Sequence, residues 1–576
     1  MTIQPPVTAW RHARRALGAA AGGARQGERQ GRARVLLVLA GFGLLYGALA
    51  LRLTVLGVAS ADWKDGPGAF AQSASVSRPD IVDRNGETLA TDIKTASLFA
   101  EPRRIVDPDE ASEQLATVFP DLDRDRLRRQ LATNAAFLYL KREITPRQQQ
   151  QVHSLGIPGV GFRVENKRFY PGGPTAGHIL GAVNVDNQGI AGIERYIDSS
   201  YLNDLAAAGF ATQRALEPVR LATDLRVQHA IRNELADAMT RYHAIAAIGI
   251  VMNVRTGEVV GMSSLPDYDP NDRAQVLDKD RMNRATVGVF EMGSTFKGFT
   301  AAMALDSGAA RINESFDATS GLAIGGFRIN DFHGKRRWLT VPEVFIYSSN
   351  IGTGRMVLKA GTDVQRDYFS RFGFLSELRT ELPETGAPIV PKLPWSKISS
   401  VTMAFGHGIS VSPLQTAAAG AALINGGVYV PPTFLPRTEE EAMKVAHRVL
   451  KPETSDYLRH LFRLNVIKGS GKRASVAGYR VGGKTGTAEK VVNGRYSSSK
   501  RRNAFLAGFP MDDPRYLVLV VLDEPEPEKP GIGATAGLNT APAVAGIIRR
   551  IAPMLGVEPL LIDPEEEPAM ALASAL

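Results

Sequence analysis

The pattern of apolar and polar residues predicts two β-hairpins with mostly helical sequence between them. Residues 246–253 form a continuous apolar run, residues 255–257 a turn and residues 258–262 a second apolar run, which is the pattern of an antiparallel hairpin. Residues 504–509 and 516–522 repeat it across an Asp-Asp-Pro turn. Hairpins that bracket helices indicate an α+β domain around an antiparallel sheet, not a βαβ fold.

The sequence from 77 to about 220 mixes short strand and helix patterns around Gly- and Pro-rich turns. Asn85-Gly86 between apolar flanks predicts a hairpin turn. Residues 109–131 carry apolar side chains three and four positions apart, which predicts helical structure. No catalytic set stands out here, so we interpret the region as a non-catalytic pedestal module.

An uncharged apolar run lies near the N-terminus, at residues 35–51. At about 1.5 Å per residue it nearly crosses a hydrocarbon core of roughly 30 Å. Arg52 could snorkel to the interface while residues 53–58 complete the span. We predict a transmembrane anchor at residues 35–57. The alternative is a cleaved signal peptide, because Ala59-Ser60-Ala61 resembles a cleavage site, but the leader and its apolar run are longer than usual.

The distribution of charge orients this segment. Seven arginines and one glutamate before residue 35 supply +6 of the total net charge of +9. Such an excess stays on the cytoplasmic side, which predicts an inner-membrane protein with a cytoplasmic tail and a periplasmic body. The body has too little excess charge for a nucleic-acid groove. The chain has no cysteine and no metal-ligand motif such as H-E-x-x-H, so we expect neither a metal nor a cofactor.

Three short motifs carry candidate chemistry. They are Ser294-Thr295-Phe296-Lys297, Ser348-Ser349-Asn350 and Lys484-Thr485-Gly486-Thr487. On a helix, residues three apart share a face, so Ser294 Oγ and Lys297 Nζ can meet. Burial and a second cation, for which Lys484 is the candidate, would lower the pKa of Lys297 enough for it to act as a base. These are the parts for serine acyl transfer without a histidine base.

Each motif taken alone has an ordinary explanation. A second S-x-x-K stands at residues 497–500, in a polar, basic stretch that predicts a loop. Ser-Ser-Asn is most often a turn or a helix cap. Residues 478–485 satisfy the P-loop pattern, but the flanking sequence predicts neither the strand before it nor the helix after it. Instead, the sequence after Gly486 predicts a strand that enters a hairpin at Asn493-Gly494. The order and context of the three motifs together favour catalysis.

With these motifs the sequence resembles the class B penicillin-binding proteins, which are bacterial peptidoglycan transpeptidases. Four further blocks carry the resemblance: Asp83-Arg84-Asn85-Gly86, Arg168-Phe169-Tyr170-Pro171, Gly192-Ile193-Glu194 and Phe405-Gly406-His407-Gly408. Met292 departs from it, since the family usually has proline there. Residues 483–490 and the overall length are most similar to the septal, cell-division type, with the elongation type as the runner-up.

The resemblance implies a D,D-transpeptidase that cross-links stem peptides and is acylated by β-lactams. Ser294 would attack the penultimate D-Ala carbonyl of a pentapeptide donor, and an oxyanion hole would use the backbone N–H groups of Ser294 and Thr487. It also implies division-protein partners, among them a membrane glycosyltransferase. The implied site residues are Ser294, Lys297, Ser348 and Asn350 for catalysis and Lys484, Thr485, Gly486 and Thr487 for binding the D-Ala carboxylate.

The predicted organisation follows from these observations. It comprises a cytoplasmic tail (1–34), the anchor (35–57), an elongated pedestal or dimerisation-type module (58–220), a transpeptidase domain (221–556) and a flexible acidic tail (557–576). A secreted β-lactamase or carboxypeptidase and a catalytically silent division scaffold are the competing functions. We interpret His407 as a packed or surface histidine and not as a base. The acceptor amine and the oligomeric state stay open.

Overall fold

The computed structural model describes residues 39–52, 54, 77–201, 217–492 and 494–560. Residues 39–52 and 54 are helical, whereas the other residues of the predicted anchor, the tail 1–34 and most of the tail 557–576 lie outside the described residues. Among the helices of the described part, none combines the length and the apolar character that crossing a membrane requires. The anchor therefore stays a prediction.

The chain divides into two compact units, and the smaller one includes residues 96–165. It contains helices α1 (Pro108–Val118), α2 (Arg124–Leu131) and α3 (Pro146–Leu155), strand β3 (Leu138–Ile144), the end of β2 (Thr88–Ala100) and the start of β4 (Val160–Phe169). The helical pattern predicted over 109–131 is present as two helices with a break between them. Pro120 cannot continue α1, and Asp123 caps a new helix by accepting a hydrogen bond from the Arg126 N–H at 3.0 Å.

The larger unit holds residues 77–95 and everything after 165. Its first part contains β1 (Ile81–Val82), α4 (Gly177–Leu180), β5 (Ala182–Val183), β6 (Gly189–Ala191), α5 (Gly192–Tyr196) and β7 (Val219–Arg220). The hairpin predicted at Asn85-Gly86 is present, since β1 pairs antiparallel with the start of β2. Gly86 adopts φ 93° there, a left-handed conformation that glycine tolerates best.

The rest of the larger unit contains helices and both short and long strands. The helices are α6 (Leu225–Tyr242), α7 (Arg273–Val276), α8 (Lys297–Asp306), α9 (Val341–Ile346), α10 (Asn350–Ala360), α11 (Thr362–Arg371), α12 (Lys397–Ala404), α13 (Pro413–Ile424), α14 (Glu439–Val445), α15 (Pro452–Lys468) and α16 (Thr540–Met554). The strands are β8 (Ala246–Asn253), β9 (Val259–Leu265), β10 (Ser315–Asp317), β11 (Leu322–Ile324), β12 (Phe327–Ile329), β13 (Trp338–Thr340), β14 (Val428–Tyr429), β15 (His447–Arg448), β16 (Gly482–Val492), β17 (Arg495–Phe509) and β18 (Tyr516–Asp523).

A five-stranded antiparallel sheet in the order β16-β17-β18-β8-β9 organises this unit. Both predicted hairpins, β8–β9 and β17–β18, are confirmed. Successive side chains of a strand point to opposite faces, so Leu517, Leu519 and Val521 join one hydrophobic core while Val518, Val520 and Leu522 join the other. Helices α6 and α16 cover the second face and α13 covers the first. The predicted α+β class, with the sheet between helices, is therefore confirmed.

A buried ion cluster lies in the first part of the larger unit. Glu194, whose side chain is 0% exposed, accepts from Arg78 Nε at 2.9 Å and from Arg168 Nε at 2.6 Å. Arg168 also pairs with Asp92 at 3.2 Å, and Arg78 pairs with Asp198. Buried charges of this kind are tolerated when each is paired and hydrogen-bonded, so the cluster joins four distant stretches of chain.

Candidate active site

Ser294 lies in a short 3₁₀ segment, Gly293–Phe296, directly before α8. Phe296 and Phe299 are fully buried and pack against Phe374, with ring centroids 4.8 Å apart in both pairs. This aromatic core fixes the start of α8. Ser294 itself is half-buried and lines a cleft of about 810 Å³, so the predicted nucleophile is positioned on a rigid element and open to a ligand.

Two buried lysines converge behind this cleft. Lys297 is 2% exposed and Lys484 0%. Each Nζ donates to Ser348 Oγ at 3.0 Å, and Lys297 also donates to the Ser348 carbonyl. Among the hydrogen bonds of the described residues, none joins Ser294 Oγ to Lys297 Nζ directly. The structure thus brings the three motifs together at one point, the Ser348 hydroxyl.

The electrostatics of this point favour a neutral amine. Burial lowers the pKa of Lys297 well below its ordinary value, the charge of Lys484 lowers it further, and only Asp331 opposes this. Burial also lowers the pKa of Lys484, to about 7. An ammonium that loses hydration without gaining a carboxylate partner gives up its proton. The direction of this shift favours the neutral form of Lys297, which is the form that can accept a proton.

The Ser-Ser-Asn motif serves two purposes at once. Ser349 is the N-cap of α10, accepting from the Gly352 N–H at 3.0 Å and donating to Asp331 at 2.7 Å. Ser348, one residue earlier, has φ 54°, a conformation that costs energy for any residue with a Cβ. The ordinary explanation of the motif as a cap therefore holds for Ser349, and the cap turns Ser348 towards the two lysines. Asn350 lines the cleft and donates to the Asn330 carbonyl at 3.0 Å.

The third motif lies on β16, the edge strand of the central sheet, as predicted. Thr485 and Thr487 line the cleft, whereas Lys484 lies behind it, donating to the Thr485 carbonyl at 3.1 Å. Gly486 permits a close approach to the nucleophile segment, because a Cβ there would lie 2.5 Å from the Met292 carbonyl oxygen. Any side chain at 486 would push β16 away from Ser294.

The structure shows what the two competing motif matches are, namely the second S-x-x-K at residues 497–500 and the P-loop pattern at residues 478–485. Residues 497–500 were predicted as a loop, but they belong to β17, where Lys500 pairs with Glu524 at 3.1 Å and stays half-exposed. These four residues fall at a register break of the β16–β17 pairing, between Tyr496, which pairs with Val491, and Arg501, which pairs with Glu489. The P-loop interpretation is excluded, since Thr485 is followed by strand and not by helix.

Two polar neighbours of the site carry no motif of their own. Asp331 accepts from the Ile351 N–H at 3.0 Å as well as from Ser349, and its charge acts to raise the pKa of Lys297. Ser470 shares a hydrogen bond of 2.6 Å with Thr485 Oγ1. Asp331 precedes an irregular Phe-His-Gly stretch, and Ser470 stands between two glycines after a helix. Neither pattern is specific enough to identify a site residue from one sequence.

Comparison with known proteins agrees with this geometry. The penicillin-binding protein transpeptidase domain matches residues 247–549, and the penicillin-binding protein dimerisation domain matches residues 73–203. The chain therefore belongs to the penicillin-binding protein transpeptidase family, and within it to the class B proteins. The family predicted from the motifs is confirmed.

Individual relatives cover most of the chain. It is 37% identical over 537 residues to the probable peptidoglycan D,D-transpeptidase FtsI of Caulobacter vibrioides, covering 92% of this chain and 89% of the relative. It is 30% identical to the peptidoglycan D,D-transpeptidase FtsI of Escherichia coli, covering 85% of each. A crystal structure of penicillin-binding protein 3 from Mycobacterium tuberculosis, complexed with aztreonam, is 23% identical, with a TM-score of 0.65 over 85% of this chain and 99% of that one. That structure supports the fold.

Proposed function

We propose that this chain is a septal peptidoglycan D,D-transpeptidase that works through a Ser294 acyl-enzyme. The observation that carries the proposal is the convergence of Lys297 and Lys484 on Ser348 Oγ directly behind the cleft that Ser294 lines. A silent scaffold would have no need to bury two lysines without a carboxylate partner, because each buried cation costs stability.

The first half-reaction forms the acyl-enzyme. Ser294 Oγ attacks the penultimate D-Ala carbonyl, and its proton passes to Lys297, directly or through the Ser348 hydroxyl that both lysines contact. The backbone N–H groups of Ser294 and Thr487 stabilise the oxyanion. The peptide C–N bond then breaks, and the terminal D-Ala leaves with the proton that Lys297 held. Asn350, on the cleft wall, orients the donor amide.

We propose two roles within the substrate-binding motif, supported by where its side chains lie. We expect the hydroxyls of Thr485 and Thr487, which line the cleft, to bind the donor carboxylate. Lys484 is fully buried and contacts Ser348 Oγ instead, so it acts on the proton path and on the pKa of Lys297. Gly486 contributes by permitting the close approach of β16. This replaces the expectation that Lys484 contacts the carboxylate itself.

Penicillin labelling tests the acyl-enzyme. Intact mass after exposure should increase by one penicillin, and peptide mapping should place the adduct on Ser294. Ser294→Ala should abolish the adduct while leaving the folded protein intact. Label on Ser348 or Ser497, or no label on a folded protein, would contradict the assignment and favour the scaffold alternative.

The septal role is supported by the FtsI relatives. Depletion in the native cell should give filaments without septa, and rounded cells would indicate the elongation type instead. We expect binding to a membrane glycosyltransferase of the division machinery, for which co-purification of the full-length chain from detergent-solubilised membranes is the test.

The anchor and the domain partition belong to the same proposal. The proposed partition is an arginine-rich tail (1–34), an apolar anchor (35–57), a pedestal (58–220) and a transpeptidase domain (221–556). The arginine excess before the apolar run supports a cleft on the outer side of the inner membrane. A reporter active only in the periplasm, fused after residue 60, should be active. Recovery of a soluble product that begins near Asp62 would show that Ala59-Ser60-Ala61 is a cleavage site and that no anchor remains.

A further inference from the structure

A second titratable cluster lies on the same cleft, outside the serine–lysine machinery. His407 lines the cleft that Ser294 lines, and its ring packs against Phe405 and Tyr496 at centroid distances of 5.5 and 5.6 Å. The sequence favoured a packed or surface histidine. The ring is indeed packed, but on the wall of the active site, so its chemistry has to be considered.

The backbone holds this histidine next to the nucleophile. The Gly293 N–H donates to the Gly406 carbonyl at 3.2 Å. The chain neighbours of Ser294 and His407 are therefore hydrogen-bonded to each other. A Cβ on Gly406 would lie 2.1 Å from the Gly293 carbonyl oxygen, so only glycine allows this approach. Phe290 and Val411 exchange backbone hydrogen bonds at 2.9 and 3.1 Å, which fixes the two segments antiparallel.

Glu291 lies on the nucleophile segment within the same cluster. Its Oε1 accepts from the Gly408 N–H at 2.7 Å and from the Tyr496 hydroxyl at 2.9 Å. Its Oε2 is buried without a hydrogen-bond partner, and so is Nδ1 of His407. A buried carboxylate oxygen and a buried ring nitrogen that both lack partners are costly. A pairing of Nδ1–H with Glu291 would satisfy both atoms and leave Nε2 as the basic nitrogen for the cleft.

We propose that His407, oriented by Glu291 and Tyr496, is the base that deprotonates the acceptor amine before it attacks the acyl-enzyme. The inference rests on the proposed function and identifies the acceptor's site. A primary amine on a stem peptide is an ammonium at neutral pH, so it must lose a proton before it can attack. Lys297 already relays one proton in the same step, so a second base can take the proton of the acceptor ammonium.

The step balances as follows. Nε2 of His407 takes one proton from the acceptor R–NH₃⁺. The neutral amine attacks the acyl carbonyl, the new C–N bond forms, and the ester C–O bond to Ser294 breaks. The second amine proton returns through Lys297 and Ser348 to Ser294 Oγ. His407 then releases its proton to solvent, so the enzyme is regenerated with one new amide bond.

The charges around His407 are consistent with this role. Burial lowers the pKa of His407, Glu291, the Phe405 backbone and Glu489 raise it, and a protonated Lys297 would lower it further. Burial and Glu291 raise the pKa of Tyr496, which keeps that hydroxyl a neutral donor. At neutral pH the ring is therefore uncharged and can accept a proton, and transfer should fall as the pH drops through the pKa of His407.

The test separates transfer from acylation in the full-length protein. A thioester analogue of the acyl-D-Ala donor is supplied with D-alanine as the amine, and both acylation and transfer rates are followed between pH 5 and 10. His407→Asn should lose at least tenfold more in transfer than in acylation, and its transfer profile should move to higher pH, where the amine is already neutral. His407→Asn transfer that falls no more than acylation, or an unmoved profile, would overturn the proposal.

Two further variants make the result specific. Glu291→Gln removes a charge that raises the pKa of His407, so the acid limb of transfer should shift to lower pH and the maximum should fall several-fold. His447→Asn is the matched control, because His447 bonds to the Arg371 carbonyl outside this cleft, and its ratio of transfer to acylation should stay within about twofold of the unmodified chain. If the donor does not acylate Ser294 at all, the proposed function fails, independently of His407.

Discussion

Two groups of buried cations lie in the same compact unit, and their surroundings give them opposite chemistry. Arg78 and Arg168 share Glu194 between them and pair further with Asp92 and Asp198. Lys297 and Lys484 share a neutral hydroxyl, that of Ser348, and neither has an ion-pair partner among the described residues. Burial acts against the charge of Arg168 as well, but the interaction with Glu194 outweighs burial, so the pKa of Arg168 is raised. Among the described residues, no ion-paired carboxylate supports the charge of Lys297 in this way.

The difference teaches that burial of a cation does not by itself indicate catalysis. A buried cation with carboxylate partners keeps its proton and ties segments of chain together. A buried amine without them gives the proton up and becomes a base. Residue type follows the same division, because arginine cannot deprotonate in a protein and lysine can. The predictions below perturb each cluster and compare the consequences.

The largest effect is expected at Lys297. Lys297→Arg keeps a long cation but removes the amine that we propose accepts the Ser294 proton, because arginine cannot deprotonate near neutrality. The rate constant of acylation by penicillin should fall about 10²- to 10⁴-fold, as for loss of a general base. Stopped-flow or mass-spectrometric acylation measures it, with circular dichroism to verify the fold. Near-normal acylation by a folded Lys297→Arg protein would contradict the assigned role.

In the arginine cluster the expected effect is on stability. Glu194→Gln leaves two buried guanidinium groups short of charge compensation, which should lower the free energy of unfolding by about 3–5 kcal/mol. Urea unfolding of the larger unit measures it. The acylation rate of the molecules that remain folded should stay within about twofold.

Glu440→Gln is the matched control for this substitution. Glu440 forms an exposed i,i+4 pair with Lys444 at 2.9 Å, and such pairs contribute about 1 kcal/mol or less. Equal destabilisation by Glu194→Gln and Glu440→Gln would show that the arginine cluster does not hold the fold.

Lys484→Ala comes next and tests which role this lysine has. Its charge lowers the pKa of Lys297, so its removal should raise that pKa. Because only neutral Lys297 accepts the proton, the acid limb of the acylation profile should shift to higher pH. We expect a loss of about ten- to a hundredfold at neutral pH, the size of one or two charge-assisted hydrogen bonds.

A carboxylate-bearing β-lactam and its ester distinguish the two explanations. If Lys484 acts on Ser348 and Lys297, Lys484→Ala should slow both compounds equally. Thr487→Val should instead slow the carboxylate compound selectively, because that hydroxyl lies in the cleft. A selective loss in Lys484→Ala, without a shift of the acid limb, would restore the carboxylate-anchor interpretation made from the sequence.

Local pattern was sufficient to predict some parts of this structure. The hairpins followed from apolar runs and turn residues, and the order of the three motifs predicted one acyl-transfer site. The break between α1 and α2 was missed because the apolar spacing continues across Pro120, although proline should have ended the helix. The position of Lys484 relative to the cleft could not be predicted, because it depends on how closely the edge strand packs against the helix behind it. The Glu291–His407–Tyr496 cluster combines three distant stretches that share no motif.

The smallest effect is expected at the second S-x-x-K, residues 497–500. This site shows which structural features the motif needs in addition to the spacing of its serine and lysine. Lys500 has the same spacing from Ser497 that Lys297 has from Ser294. It lies, however, on strand β17 at the register break with β16 and not on a helix, and it is half-exposed and paired with Glu524. Water and a carboxylate both keep that ammonium charged, so it cannot serve as a base.

Lys500→Ala should therefore leave penicillin acylation within about twofold and cost less than about 1 kcal/mol of stability, as for other exposed pairs. Parallel acylation assays of Lys500→Ala and Lys297→Ala measure the contrast directly. A large loss in Lys500→Ala would mean that the β16–β17 hairpin takes part in acylation. It would also show that exposure and pairing do not separate structural cations from catalytic ones in this protein.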